Sequence, residues 1–506
     1  MSLSIGYTRA HLGMEAPLVT VETHLSNGLP AFNIVGLPET AVKESKDRVR
    51  SALINSQFEF PQRRITVNLA PADLPKAGGR YDLAIAAGIL AASGQIPAKA
   101  LHNCELLGEL ALSGEVRAVG GTLPAAIAAC NQERSILLSN DDAQQAALSK
   151  QAQVFSASHL LQVAQHLSGQ QTLPFTETQI RAEKTSIPDL ADVKGQPRAK
   201  RALEIAAAGN HNIIFYGPPG TGKTMLASRL PGILPTLNEQ SMLEVAALYD
   251  LSQVKRDNIW LAPFRSPHHS SSTPALVGGG SNPKPGEISL AHKGVLFLDE
   301  LPEFQRPVIE CLREPLESGE VMIARANARC RFPAQFQLVA AMNPTRHGNS
   351  SSDDMTGEDI QATRRYWSKL SAPFLDRIDI QVEVTRPPKE ALISSDRLPP
   401  EEPSETIAAR VKQARETQQQ RQQKLNDQLT PDELLRHCQL GIEEQTLMEK
   451  AVDKLGLSAR ATHRILRTAR TIADLEEETK VTLKNLREAI SFRGLDRHPA
   501  LKQIQQ

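Results

Sequence analysis

Cysteine is sparse: five in 506 residues, at Cys104, Cys130, Cys311, Cys330 and Cys438, odd in number and with no Cys-x-x-Cys pair. That excludes a disulfide framework and a zinc ribbon, and fits a reducing compartment. Aromatic residues make up 4% of the chain, too few for a surface that grips nucleic acid mainly by stacking bases. Neither charge is in excess, since Lys+Arg and Asp+Glu both total 57, so a polyanionic partner would have to be held by local clusters of cations. The first residues carry Arg9 and Glu15, and no apolar run is long enough for a leader or a membrane span. The expectation is a cytoplasmic protein without a membrane partner.

What is present is a phosphate-binding loop. Gly217-Pro218-Pro219-Gly220-Thr221-Gly222-Lys223-Thr224 follows the apolar run Ile213-Ile214-Phe215-Tyr216. A glycine-rich turn between a buried strand and a helix aims backbone N–H groups at one point, where they cradle phosphates. In that pattern Lys223 reaches the β- and γ-phosphates of ATP or GTP, and the Thr224 hydroxyl binds Mg²⁺. Further on, Val295-Leu296-Phe297-Leu298 ends in Asp299-Glu300, which reads as a buried parallel strand delivering acids at its carboxyl end. Asp299 would hold Mg²⁺ and Glu300 would polarise the attacking water.

Three weaker signals follow. The run Gln337–Met342 ends at Asn343, which either orients the same water or caps a turn. Arg377, in Phe374-Leu375-Asp376-Arg377-Ile378-Asp379, either serves a neighbour's γ-phosphate from a subunit edge or pairs internally with Asp376 or Asp379. Arg460 opens a C-terminal helix, where it would reach a nucleotide if a lid closed, or stand as an exposed charge.

The chain divides into α/β blocks and a helical tail. Residues 1–170 alternate expected strands (Ala31–Val35, Ile65–Leu69, Glu105–Leu112, Ser135–Ser139) with expected helices (Glu39–Asn55, Asp82–Ala92, Leu123–Ala129). Residues 171–187 read as a linker, 188–386 as the nucleotide-binding unit, 387–404 as a proline-rich linker, and 405–506 as helices only.

These elements in this order resemble an AAA+ ATPase with a C-terminal helical lid. The stretches Arg265–His269, Pro285–His292 and Leu301–Phe304 resemble its magnesium-chelatase-like branch, and over nearly the whole length the chain is similar to the bacterial ComM/YifB family. The resemblance implies ATP and Mg²⁺ as cofactors, with Asn343 as sensor 1, Arg377 as arginine finger and Arg460 as sensor 2. It also implies a homo-hexameric ring and a DNA partner, single-stranded or branched, moved by a branch-migration helicase in recombination or natural transformation. A protein-remodelling or metal-chelatase motor stays open as an alternative. Relatives often carry cysteines just after the sensor asparagine; here Pro344–Gly348 has none.

Candidate DNA contacts lie on a hairpin expected from Glu320–Arg325 and Ala328–Phe332, with Arg325, Arg329 and Arg331 as phosphate-gripping cations. The alternative is a hairpin packed on its own subunit with its arginines solvated. Arg460, Arg464, Arg467 and Arg470 recur at helical spacing and suggest a second cationic face. His268 and His269 read as loop-ordering residues rather than metal ligands. The first block resembles the Lon-type protease domain, an S5-like α/β fold, through Pro75–Gly79 and Gly108–Val116. The nucleophile and base positions are Arg80 and Leu123, so no peptidase chemistry is expected. The Lys76–Arg80 loop offers two cations to a backbone phosphate, or is a structural turn.

Overall fold

The computed structural model describes residues 3–37, 39–178, 187–280, 283–325, 328–343, 361, 365–386 and 401–495. Both proposed linkers fall partly outside this range, as do the hairpin tip Ala326–Asn327 and the cysteine-free stretch after Asn343. Within range, the first linker begins as packed structure: Phe175 stacks on Phe155 with ring centroids 4.5 Å apart, and the Thr176 N–H donates to the Val154 carbonyl.

The first block is built on a seven-stranded mixed sheet in the order Ala31–Val35, Arg64–Ala70, Leu18–Ser26, Leu3–Arg9, Cys104–Leu106, Ser135–Ser139, Val154–Ala157. The expected strand Glu105–Leu112 is in fact two. Cys104–Leu106 joins the sheet, while Glu109–Leu110 turns out to pair with Val116–Arg117. Helix Asp82–Ala92 is buried at every position, which its unbroken small and apolar sequence permits. The expected helix Glu39–Asn55 is interrupted between Lys43 and Ser45.

The second block is a five-stranded, all-parallel sheet in the order Phe264–Arg265, Val295–Leu298, Gln337–Met342, Ile213–Tyr216, Ile380–Glu383. Its three central strands are buried on both faces, as continuous apolar runs require, while the edge strand Phe264–Arg265 is half-buried. Five α-helices follow among the described residues: Ser404–Gln422, Pro431–His437, Ile442–Leu455, Ala459–Leu475 and Leu483–Ser491. They share one hydrophobic core with the sheet and with helix Pro197–Gly209. Arg201 ties that helix to Glu488 and Glu476, and Arg410 reaches back to Glu204.

The two blocks meet along helices Thr122–Cys130 and Glu239–Ser252. Leu123 packs there with Leu148, Met242, Ala246 and Ala247, and the Asp250 carboxylate accepts from the Gly121 and Leu123 N–H groups at 3.1 and 2.9 Å. The residue at the expected base position is thus an apolar anchor between blocks. Truncating it removes a fully buried side chain, so Leu123→Ala should lower stability by about 2–5 kcal/mol. A urea midpoint unchanged from the parent would show that this seam carries no stability.

Candidate nucleotide site

Strand register assembles the site. Tyr216 pairs with Met342, and Leu298 with Ala340, so the loop after Tyr216, the acids after Leu298 and Asn343 emerge side by side at the carboxyl edge of the sheet. The strand ending at Asn343 lies between the other two, as the sensor reading needs. The loop passes so close to the outer strand that a Cβ on Gly217 would stand 2.2 Å from the Val384 carbonyl oxygen. Gly222 sits at φ +89° immediately before helix Lys223–Arg229, a conformation side chains rarely adopt.

Gly220, Thr221, Gly222, Lys223, Thr224, Asp299, Glu300 and Asn343 line a cavity of about 410 Å³ with Pro219, Met225 and Met342. Lys223 donates to the Gly217 and Pro218 carbonyls at 2.8 and 2.7 Å. Thr224 donates to Asp299 at 2.6 Å, and the Glu300 N–H donates to the other Asp299 oxygen at 2.9 Å. Thr224 and Asp299 thus present oxygens at one point, the hard donors that Mg²⁺ takes along with water and phosphate. Burial pushes the Lys223 ammonium down to about 8, with Asp299 opposing.

One partner was not anticipated. The His269 ring nitrogen Nδ1 lies 3.3 Å from a Glu300 carboxylate oxygen, and the ring lies against His268 at 4.1 Å, tilted by 33°. His268 in turn holds Ser270 at 2.7 Å. The histidine pair was singled out as loop-ordering, but its reach across 31 residues to Glu300 has no signature in local spacing.

Arg377 and Arg460 are not at this pocket: its lining includes no residue of the C-terminal helices. Arg377 is 6% exposed and ion-paired to Glu317, a partner other than the expected Asp376 or Asp379. Asp379 is already taken, by Arg464 at 2.6 Å and by the Asn212 N–H at 2.9 Å. Burial, and then the charges of Arg313, Arg460 and Arg464, lower the Arg377 guanidinium against the pull of Glu317. The charge of Arg460 thus reaches Arg377, and neither residue lines the cavity of their own chain's phosphate loop.

The expected cationic stripe is mostly internal. Arg464 binds Asp379, Arg467 donates to the Leu429 carbonyl, and Arg470 pairs with Asp474, leaving Arg460 exposed. Helical spacing aligned these side chains on the face that meets the core rather than solvent.

The hairpin Glu320–Arg325/Ala328–Pro333 is two-faced. Val321, Ile323, Cys330 and Phe332 are buried, while Met322, Arg329 and Arg331 point outward and are exposed. One face packs on its own chain and the other leaves Arg329 and Arg331 to solvent, which is the packed-hairpin alternative. Arg329 and Arg331 form no ion pair among the described residues.

Comparison with known proteins bears on this architecture. Family models described as "Magnesium chelatase, subunit ChlI", "Subunit ChlI of Mg-chelatase" and "Magnesium chelatase, subunit ChlI C-terminal" match residues 189–392, 21–142 and 401–493. The chain is 51% identical over 506 residues to competence protein ComM of Haemophilus influenzae, covering 98% of each. It is 50% identical over 503 residues to YifB of Salmonella typhimurium, again covering 98% of each. The chain belongs to the ComM/YifB family. Members share the magnesium-chelatase-like AAA+ ATPase architecture; the 38 kDa magnesium-chelatase subunit of Cereibacter sphaeroides is 23% identical over 214 residues, 38% of this chain and 58% of that protein.

The depressed Lys223 value gives a pH test. Free protein loses the ammonium charge above about pH 8, whereas a bound triphosphate requires it, so binding takes up a proton at higher pH. Affinity for a non-hydrolysable ATP analogue should fall about tenfold from pH 7 to pH 9. Lys223→Arg should bind with little change across that range; a flat parent profile would show that Lys223 stays charged in the free protein.

Proposed function

We propose that this chain is a cytoplasmic, ring-forming motor that hydrolyses ATP between subunits and moves on DNA. In this reading Lys223 and the 217–224 loop hold the phosphates, Thr224 and Asp299 hold Mg²⁺, Glu300 activates water and Asn343 orients it. Mg²⁺ supplies charge neutralisation across the β- and γ-phosphates when bound. Arg377 and Arg460 act on the nucleotide of an adjacent copy, six of which close the ring, and stabilise charge on the transferring phosphoryl group. The observation that supports the between-subunit site is that neither arginine lines its own chain's pocket, while Arg460 stands exposed within charge range of Arg377. Engagement in trans requires Arg377 to exchange Glu317 for phosphate, which makes that ion pair a natural brake.

DNA as the substrate rests on the exposed cations of the hairpin, which suit backbone phosphates without base readout. The competence name of the Haemophilus relative favours the same substrate, and branched recombination intermediates are the form we propose. Steady-state ATPase rates with single-stranded, duplex and forked DNA test this. DNA should raise the parent rate severalfold, and Glu300→Gln should lower it at least about 100-fold. Arg329→Ala with Arg331→Ala should abolish DNA stimulation while sparing the DNA-free rate. A rate indifferent to every DNA form, yet raised by unfolded protein, would instead support the protein-remodelling reading.

A further inference from the structure

A second cavity, of about 280 Å³, lies between the two α/β blocks at the degenerate peptidase position. The first block contributes His11, Gly78, Gly79, Arg80, Glu109 and the Gly120-Gly121 turn; the nucleotide-binding block contributes Leu251, Gln253 and Lys284. Lys76, the other cation of this loop, is buried with its ammonium on the Pro71 carbonyl. Neither loop cation is therefore presented to a duplex, and the backbone-phosphate reading of this loop fails on burial.

Arg80 is 6% exposed, and its Nε and Nη2 have no hydrogen-bond partner among the described residues. Nε2 of His11 is likewise buried and unpartnered. Buried guanidinium N–H groups left unmade cost far more than satisfied ones, so a site that keeps them has a use for them. The charges of Asp142 and Asp250 act on Arg80, but neither carboxylate hydrogen-bonds it. Asp142 accepts from the Val119 N–H and Ser139, and Asp250 accepts from the Gly121 and Leu123 N–H groups. Glu109 lies against Gly79, and its charge acts on Arg48. Burial, with Arg80 and Lys284, pushes His11 down to about 4, so at neutral pH the imidazole is uncharged and offers one N–H.

We propose that this pocket binds a phosphoryl group carried by a small molecule, gripped by Arg80 and Lys284 with His11 as neutral donor. The planar guanidinium suits a tetrahedral oxyanion, and the volume, at the lower end for small-molecule sites, admits a phosphomonoester. Because both blocks form its walls, an occupant would fasten the first block to the ATPase unit.

The test is calorimetric titration of full-length Lys223→Ala protein, in which the phosphate loop is disabled, with orthophosphate and with AMP. Binding is expected, and Arg80→Met or Lys284→Ala added to that background should weaken it about tenfold or more. Arg80 is buried, so its variant counts only if it melts like its parent; otherwise the exposed Lys284 decides. Competition by a 5′-phosphorylated oligonucleotide, but not by its 5′-hydroxyl twin, would identify the source of the phosphoryl group as a strand end. AMP binding without that competition identifies a free phosphomonoester. No binding to the Lys223→Ala protein, or equal binding to the deciding variant, overturns the assignment.

Discussion

The candidate nucleotide site depends on the register of three parallel strands. Pairing of Ile213–Tyr216 with Gln337–Met342, and of the latter with Val295–Leu298, brings three strand ends to one edge. A slip of one residue would turn Asp299 and Asn343 to opposite faces of the sheet. The apolar side chains that fix this register are buried on both faces, so the geometry of the site is set by the core rather than by the loops that line it.

The charged groups assigned to catalysis, at that edge and at Arg377 outside the pocket, are each held by partners within the chain. Lys223 rests on loop carbonyls, Asp299 holds Thr224, Glu300 faces His269, and Arg377 is paired to Glu317. Each contact occupies a group that nucleotide, Mg²⁺, water or a neighbouring subunit would otherwise engage. Under the proposed function, binding at this site exchanges existing partners rather than ordering free side chains. The exchange limits the net gain from each new contact, since the old one must be given up.

The sequence was most readable where signals were local. The phosphate loop, the Asp299-Glu300 strand end, the strand before Asn343 and the five C-terminal helices follow from runs of apolar residues, glycines and helical periodicity. Asp82–Ala92 was legible for the same reason. What stayed hidden was long-range pairing. Nothing near Arg377 announces Glu317, 60 positions away, nor does helix Ala459–Leu475 show that Arg464 would settle on Asp379. A helical arginine stripe looks identical whether it faces solvent or a core furnished with carboxylates. The two strands inside Glu105–Leu112 were missed because a break at Leu107–Gly108 interrupts pairing without interrupting the apolar pattern.

The proposed function requires an ATP site completed by a second copy of the chain. Mixing inactive Glu300→Gln protein with inactive Arg377→Ala protein tests this requirement, with co-assembly checked by light scattering. At an interface where the Arg377→Ala chain supplies Glu300 and the Glu300→Gln chain supplies Arg377, one intact site forms. Recovery of ATPase activity upon mixing is the predicted result. Co-assembled mixtures as inactive as either parent would contradict it, and would place Arg377 in the site of its own chain or outside catalysis altogether.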